Sequence, residues 1–421
     1  MSLELIHLSS IVRAPFVDRD GGRIGRVQDL IIRVGTATHP PVTGLVVRIG
    51  GRDLFVAIGK VASIGPRKVV FSAERVDLRK FERRPGELLL AQDLLARHLI
   101  NLVRGRLITA NDIELANGER GWEVVGVDPG RRPLLRRLVP GRLSDRVQPK
   151  HLVDWESIEP FVSHVPSARL RIPYRKLAKL HPAQIADLVE AASHEEGEEI
   201  IEAVGADREL EADVFEELDV EHQAEFVNSR SDVEAARLMS RMAADEAADL
   251  ISQVDQERRA SVLELLPELQ RLKVKNLLSY HPDTAGGVMS PDFVLVSFGS
   301  TVAHGLDAIR QSHASPENLH VVFVLDEHEK VAGHVTVVDL IRSNPAANVA
   351  TIVRPNTATV AVDHDLDQVA RKMSDFNLTV LPVVDRETGH VLGIITIDDV
   401  IDVLLPQGWR RDFGTEEAGQ P

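Results

Sequence analysis

The hydrophobic pattern of this 421-residue chain changes twice along its length. Up to about residue 95, apolar positions fall in short β-rich runs, as in "VDRDGGRIGRVQDLIIRV" and "VTGLVVRIGGRDLFVAIG". The pairs Gly21-Gly22 and Gly50-Gly51 separate these runs and predict hairpins, because glycine accepts the positive φ of tight turns. We expect a small closed barrel, since closure removes exposed strand edges. Residues 96–160 repeat the pattern more weakly, with a turn at Asn117-Gly118.

Residues 176–280 have a helical pattern, after a proline-rich connecting segment at 140–175. Four consecutive 12-residue units cover 219–266, and each begins with polar or acidic residues and ends in an apolar cluster. A unit of this length fits one two-turn helix and a turn, which predicts a stack of short helices. Ser231 and Glu234 have capping-box spacing. Most of the acidic residues at the starts of these units are interpreted as solvent-exposed, and acidic residues also stabilise helix N-termini.

A second repeat, with a period of about 60 residues, covers the C-terminal part. "VFVLDEHEKVAGHVTVVDLI" (322–341) aligns with "LPVVDRETGHVLGIITIDDVI" (381–401), and each copy predicts strand, turn, strand and a helix opened by an aspartate. The alignment pairs Gly333 with Gly393, and it pairs Thr336 and Asp339 with the residues 60 positions later. The predicted class is multidomain α+β: N-terminal small β-barrels, a central all-α repeat domain and a C-terminal α/β pair.

Composition narrows the function classes. The chain has no cysteine, which excludes disulfides and thiolate sites and fits a reducing compartment. No segment approaches the ~18 to 20 uncharged apolar residues of a membrane helix, so we expect a cytoplasmic protein. Residues 1–175 carry 29 basic and 19 acidic residues, a net of +10, and the remainder carries 20 and 45, a net of −25. The basic residues are interleaved with strand patterns, so a solvated face explains them better than a nucleic-acid surface.

The chain contains no recognisable catalytic motif. It has no Gly-x-Ser-x-Gly, no His-Glu-x-x-His and no glycine loop ending in Lys-Ser/Thr. The 16 histidines are scattered, and His194 beside two glutamates is better explained by a surface helix. We therefore expect a protein that is not an enzyme.

Two segments resemble known binding modules. "DGGRIGRVQDLII" resembles the PRC-barrel family, which implies a docking role, and 96–160 is similar to a related copy. The 60-residue tandem resembles a CBS-domain pair, which implies a homodimer. In that family the Thr-x-x-Asp element meets the ribose of an adenine nucleotide such as ATP or AMP. The resemblance implies this role for Thr336, Asp339, Thr396 and Asp399, although helix capping explains the same aspartates.

The junction "HPDTAGGVMSP", between an acidic helical domain and a CBS pair, resembles the cytosolic region of MgtE magnesium channels over residues 176–404. We interpret Gly286-Gly287 as a sharp turn that needs φ values other residues resist. The resemblance implies Mg²⁺ bound between the helical and CBS domains, for which hard oxygen ligands are suited. The carboxylates it implies as ligands are Asp363, Asp365, Asp367, Asp398, Asp399 and Asp402.

The resemblance does not extend to a membrane pore, because "VIDVLLPQGWRRDFGTEEAGQP" continues from the second repeat with a helix-breaking Pro406. We expect a soluble regulatory protein linked to magnesium transport, acting on a separate membrane transporter or other protein through the barrel. The alternatives are an adenine-nucleotide sensor and a PRC-barrel adaptor. The expected domains are 1–95 (PRC-like), 96–175 (second β segment and linker), 176–283 (helical repeats), 284–405 (CBS pair) and 406–421 (tail).

Overall fold

The structure is a computed structural model, which describes residues 5–33, 38–72, 80–118, 121–130, 152–161, 174–355 and 358–404. The chain forms two compact units, Met1–Asp219 and Val220–Pro421. In the first unit, strands precede a group of helices. In the second, helices precede two small sheets with helices beside them.

Fourteen described strands build the β part of the first unit. Their bounds are β1 Leu5–His7, β2 Pro15–Val17, β3 Arg23–Arg33, β4 Val42–Ile49, β5 Arg52–Ala57, β6 Val61–Gly65, β7 Lys68–Phe71, β8 Glu87–Leu89, β9 His98–Asn101, β10 Arg106–Thr109, β11 Asp112–Gly118, β12 Gly121–Asp128, β13 Val153–Asp154 and β14 Ile158–Pro160. Three sheets result: β5-β4-β3-β2-β7-β6 with β8 beside β3, β1-β11-β12-β13, and β10-β9-β14. The described strands do not close into a barrel, so the expectation of closure is wrong.

Two strands are exchanged between the halves of this β part, which in the structure are residues 5–72 and 87–161. β1 belongs to the first half by sequence but pairs with β11 of the second, with Ile6 opposite Leu115. Conversely, β8 opens the second half but pairs with β3 of the first, with Ile31 opposite Leu89. Each half therefore adds one strand to a sheet of the other half.

A helical turn follows each exchanged strand and is capped by an aspartate from the opposite half. The turns are α1 (Leu8–Ile11) and a π-helical turn (Leu90–Leu94). The Asp112 carboxylate accepts the Ser9 N–H at 3.0 Å, and the Asp29 carboxylate accepts the Ala91 N–H at 2.8 Å. One hydrophobic core contains buried residues of both halves. The two halves therefore form a single intertwined folding unit.

The glycine-rich hairpins lie where the sequence placed them. Gly21, Gly50 and Gly51 have φ of 86°, 56° and 79°, and β4 pairs with β5 up to Ile49 opposite Arg52. At the weaker turn, β11 pairs with β12 up to Gly118 opposite Gly121, and residues 119–120 lie outside the described part. Of the proline-rich segment, residues 152–161 are described and include β13 and β14.

Four helices complete the first unit: α2 Tyr174–Leu177, α3 Pro182–Ala191, α4 His194–Val204 and α5 Arg208–Glu217. They pack on the β part through its last sheet. His98 of β9 contacts Glu196 of α4, with Nδ1 and Oε2 3.3 Å apart. Glu159 of β14 is buried, which raises its pKa, and its ion pair with Lys176 of α2 opposes that rise.

Five short helices open the second unit: α6 Val220–Asn228, α7 Asp232–Met239, α8 Ala244–Gln253, α9 Gln256–Leu265 and α10 Glu268–Leu277. The first four begin at residues 220, 232, 244 and 256, which confirms the 12-residue helical repeat. The predicted capping box of Ser231 and Glu234 is confirmed at the start of α7. Ala247, Leu250 and Ile251 of α8 are buried in the helix stack, as expected for the apolar stripe.

The CBS-like part has two similar sheets, ordered β15-β16-β17-β18 and β19-β20-β21. The strands are β15 Leu295–Ser297, β16 Val321–Leu325, β17 Val331–Thr336, β18 Arg354–Pro355, β19 Val360–Ala361, β20 Val380–Val384 and β21 Val391–Thr396. The helices are α11 Ala285–Val288, α12 Val302–Gln311, α13 Val337–Arg342, α14 Leu366–Phe376 and α15 Ile397–Leu404. β17 with α13 and β21 with α15 are offset by 60 residues, as the repeat predicted. Among all described helices, none is long and apolar enough to span a membrane.

Candidate functional site

The glycine pair of the junction is required by close packing. Gly286 and Gly287 lie in α11, and neither has a positive φ, so the interpretation as a special turn is wrong. A Cβ on Gly286 would lie 2.8 Å from the Tyr280 ring, and one on Gly287 would lie 2.3 Å from the His281 carbonyl oxygen. Only glycine lets α11 fold back this closely on the preceding loop.

The junction continues along the edge of the second repeat's sheet. The Ser290 N–H donates to the Ile394 carbonyl at 2.8 Å, and the Ile394 N–H donates back at 2.9 Å. A Cβ on Gly393 would lie 2.7 Å from the Met289 sulfur. In the first repeat, β18 covers the equivalent Gly333, with the Arg354 carbonyl oxygen 2.3 Å from an added Cβ. Residues 289–290 therefore pack against the glycine of β21 in the same way that β18 packs against the glycine of β17.

Carboxylates of the helical repeats and of the second CBS-like repeat face each other in the second unit. Asp245 and Asp249 lie four residues apart on one face of α8, and Asp399 lies in the first turn of α15. Burial, together with the charges of Asp399 and Asp292, raises the pKa of Asp245 to about 7. Burial, and then Asp399, also raise the pKa of Asp249 to about 6. The Asp249 side chain is exposed, whereas Asp245 is only partly exposed.

Asp245 is joined to the CBS-like part by a chain of two hydrogen bonds. The Ser290 hydroxyl donates to Asp245 Oδ1 at 3.3 Å, and it accepts from Asn318 Nδ2 at 2.9 Å. Ser290 and Asn318 are both buried. Asp292 forms an ion pair with Lys273 of α10. The junction therefore places polar groups from three segments around one carboxylate.

The aspartates proposed from the sequence as metal ligands occupy different settings. Asp363 forms an ion pair with Arg386, with 3.0 Å between the charged atoms. Asp365 caps α14 by accepting the Gln368 N–H at 3.2 Å, and Asp367 is exposed in the first turn of that helix. On α15, Asp398 is exposed, and the side chain of Asp402 lies outside the described part. Asp399 is the member of this set whose charge acts on Asp245 and Asp249.

Both Thr-x-x-Asp elements form helix caps. The Asp339 N–H donates to Thr336 Oγ1 at 3.1 Å, and that hydroxyl donates to Asp339 Oδ2 at 2.7 Å. This bond, together with Arg354 at 2.9 Å, lowers the pKa of Asp339. In the second repeat, the Thr396 N–H donates to Asp399 Oδ2 at 2.7 Å, and the Asp399 N–H donates to Thr396 Oγ1 at 3.3 Å. The caps are equivalent, but Arg354 adds a basic group to the first.

Asp245 and Asp249 were not singled out from the sequence, because acidic residues at the starts of the repeats were interpreted as solvated. The available signal was the spacing of four in "ADEAADLI", which places two carboxylates on one helix face. The contact of Asp245 with Ser290 and the charge of Asp399 near both residues come from positions much later in the chain, so the local pattern could not reveal them.

Comparison with known proteins supports this arrangement of domains. Residues 180–283 match the MgtE intracellular N domain, and residues 285–345 and 349–406 match the CBS domain. The magnesium transporter MgtE of Thermus thermophilus is 41% identical over 141 residues, covering 34% of this chain and 31% of the relative. MgtE of Enterococcus faecalis is 31% identical over 132 residues, covering 31% and 29%. The chain thus spans about a third of the length of these relatives.

Among solved structures, the cytosolic domain of the Mg²⁺ channel MgtE in complex with ATP is similar to this chain, with 32% identity and a TM-score of 0.51. The similarity covers 55% of this chain and 93% of that structure. Residues 180–406 therefore consist of an MgtE intracellular N domain followed by a CBS pair, the arrangement of the cytosolic domain of MgtE.

Proposed function

We propose that the chain is a non-enzymatic, Mg²⁺-responsive regulatory protein linked to magnesium transport. The observation that carries the proposal is the convergence of Asp245 and Asp249 of α8 with Asp399 of α15. Each comes from a domain that also occurs in MgtE proteins. Ionised together, these carboxylates repel each other: burial is the main cause of the raised pKa values of the two α8 residues, and the charge of Asp399 adds to the rise.

The donor set fits Mg²⁺. A small hard cation prefers oxygen ligands, and it usually keeps several waters while binding one or two carboxylates. A cation bound among these side chains would replace the repulsion between α8 and α15 by attraction to a shared charge. Binding would then favour the arrangement in which the two helices face each other. Asp363, Asp365, Asp367, Asp398 and Asp402 remain proposed as further carboxylates of the same response.

The transport link rests on the relatives, which are named as magnesium transporters. We infer that the regulated partner is a membrane transporter, contacted through the N-terminal β part. This part is the basic half of the chain, so its charge is opposite to that of the metal-binding half. The PRC-barrel resemblance of residues 5–80 supports a docking role for it.

Isothermal titration of the complete chain with MgCl₂ tests the metal site. We expect binding by the wild type, and much weaker binding by Asp245→Asn and Asp249→Asn. Asp375→Asn is the matched control, because it removes one carboxylate from an exposed position on α14. Matched monovalent salt controls for general screening, since it cannot bridge two carboxylates. Equal Mg²⁺ affinity in the wild type and in both α8 variants would refute the proposal.

A second candidate function is adenine-nucleotide sensing by the CBS pair. The observation that favours it is Arg354, which lies beside the Thr336 and Asp339 cap and adds a cation suited to phosphate recognition. The similar solved structure of the MgtE cytosolic domain contains ATP. Titration with ATP, ADP and AMP tests this function. Arg354→Gln should weaken binding, and strong nucleotide binding without a specific Mg²⁺ effect would favour this candidate over the first.

A further inference from the structure

We propose that Ser290 and Asn318 act as positioning residues for Asp245 and connect the metal site to the first CBS repeat. This inference rests on the proposed Mg²⁺ site. Its evidence is the hydrogen-bond chain from Asn318 Nδ2 through Ser290 Oγ to Asp245 Oδ1, with lengths of 2.9 and 3.3 Å. The two side chains are buried, with residue exposures of 5% and 1%.

The backbone of Ser290 is fixed independently of this chain. Its N–H and C=O both bond to Ile394 of β21, so the residue is part of the second repeat's sheet edge. The residue before it, Met289, packs against Gly393 too closely for any side chain at that position. The Ser290 hydroxyl therefore projects from a rigid support, which is what a positioning group requires.

The direction of the hydrogen bonds follows from the donors available. An amide nitrogen can only donate, so Ser290 Oγ must accept from Asn318. The single hydroxyl proton of Ser290 is then left for Asp245 Oδ1. This bond favours the charged carboxylate and fixes the position of one of its oxygens. Groups that orient metal ligands in this way tune metal affinity strongly.

Asn318 brings the first CBS repeat into contact with the site. It lies in the 3₁₀ turn Glu317–Leu319, directly before β16, and its N–H donates to the Ser315 carbonyl at 3.1 Å. A cation that orders Asp245 would also order Ser290 and this turn. Three elements, α8, β21 and the 3₁₀ turn, are thus joined through one serine.

Titration of the complete chain with MgCl₂ tests the chain of hydrogen bonds by a double-mutant cycle. Ser290→Ala and Asn318→Ala should each raise the dissociation constant about tenfold, which corresponds to about 1.4 kcal/mol. The double variant should bind about as weakly as Ser290→Ala alone, because removing either group breaks the same chain. Ser290→Thr keeps the hydroxyl and should recover wild-type affinity. Ser279→Ala is the control, since its hydroxyl bonds only the nearby Asn276 carbonyl on the exposed surface.

A second measurement is independent of affinity. Hydrogen exchange of residues 315–320 should slow when Mg²⁺ is added to the wild type, and it should not respond in Ser290→Ala. Wild-type affinity in Ser290→Ala, or fully additive losses in the double variant, would overturn the inference. If Asp245→Asn binds Mg²⁺ as the wild type does, the proposed metal site itself is wrong. If Asp245→Asn loses binding while Ser290→Ala does not, only the positioning role is wrong.

Discussion

Replacing Asp245 with asparagine should stabilise the metal-free protein at neutral pH while abolishing its response to Mg²⁺. Asparagine has nearly the same shape as a neutral aspartic acid, but it cannot ionise. The raised pKa of Asp245, about 7 against an ordinary 3.8, means that the folded protein holds a proton here that the unfolded chain has lost. Between these values, stability therefore falls as the pH rises, because the native state binds more protons than the unfolded state.

The size of the effect follows from the shift. About three pKa units at 1.36 kcal/mol each give a ceiling of about 4 kcal/mol for Asp245 at pH 7. The side chain keeps some solvent contact, which reduces this to about 2 to 4 kcal/mol. This figure contains no contribution from Asp249, because the Asp249 side chain is more exposed than that of Asp245. Against this, a cation at 100 times its dissociation constant stabilises the wild type by about 2.7 kcal/mol.

Hydrogen exchange of α8, residues 244–253, measures this free energy where it arises. A global melting temperature is less suitable, because a multidomain chain need not unfold in one step. After correction for intrinsic exchange rates, we expect slower exchange in Asp245→Asn than in the wild type at pH 8 without metal. The difference should vanish near pH 2, which lies well below the ordinary pKa of aspartate, so that Asp245 is neutral in both the folded and the unfolded chain. Saturating Mg²⁺ should slow exchange in the wild type only.

Lower protection of Asp245→Asn than of the wild type at pH 8 without metal would refute this prediction, because Asp245 would then be stabilising in its charged form. Asp375→Asn, which removes an exposed carboxylate, should behave as the wild type under every condition. A similar gain in this control would show that net charge, and not the local cluster, is responsible.

Three further predictions concern packing, the β part and assembly. Gly393→Ala should lower the free energy of unfolding by about 1 to 3 kcal/mol, whereas Gly299→Ala, with nothing within 4 Å of the added methyl, should change it little in denaturant titrations. Asp112→Ala should lower the thermal stability of the first unit by about 1 to 3 kcal/mol, because the α1 cap is lost; unchanged unfolding would contradict this. The chain should be a homodimer through residues 285–404, and Ile341→Asp, at a 68% exposed apolar site, should give a monomer; light scattering of a monomeric wild type, with and without Mg²⁺, would count against this.

The sequence predicted the repeats well because their signals are local. A 12-residue helix and turn is encoded within each unit, and the structure starts four helices at that interval. The 60-residue repeat is confirmed in the same way, because β21 and α15 begin 60 residues after β17 and α13. The barrel was predicted wrongly because strand exchange depends on pairing between β1 and β11, which are more than a hundred residues apart. Alternation of apolar and polar residues shows that a strand has one buried face, but it does not specify which strand pairs with it.

The junction shows the same limit at the level of a single residue type. A glycine pair is compatible with a positive φ or with close packing, and the sequence does not distinguish the two. Gly286 and Gly287 belong to the second kind, since a Cβ on either would lie within 3 Å of the preceding loop. The structure thus changes the reason for the glycines, although the position of the joint was predicted from the sequence.

The position of Asp245 within its repeat explains both why it was overlooked and why it is informative. Residues at this place in the other units, Glu221, Val233 and Glu257, are exposed, so the position faces outward from the helix stack. Asp245 is only partly exposed at the same position. Its additional burial must therefore come from outside the stack, and Ser290 and Asp399 supply it from the CBS side. A carboxylate at such a place is stable when it is neutral or shares a cation, so the Mg²⁺ dependence that we propose for α8 rests on the contact between the helical repeats and the CBS pair.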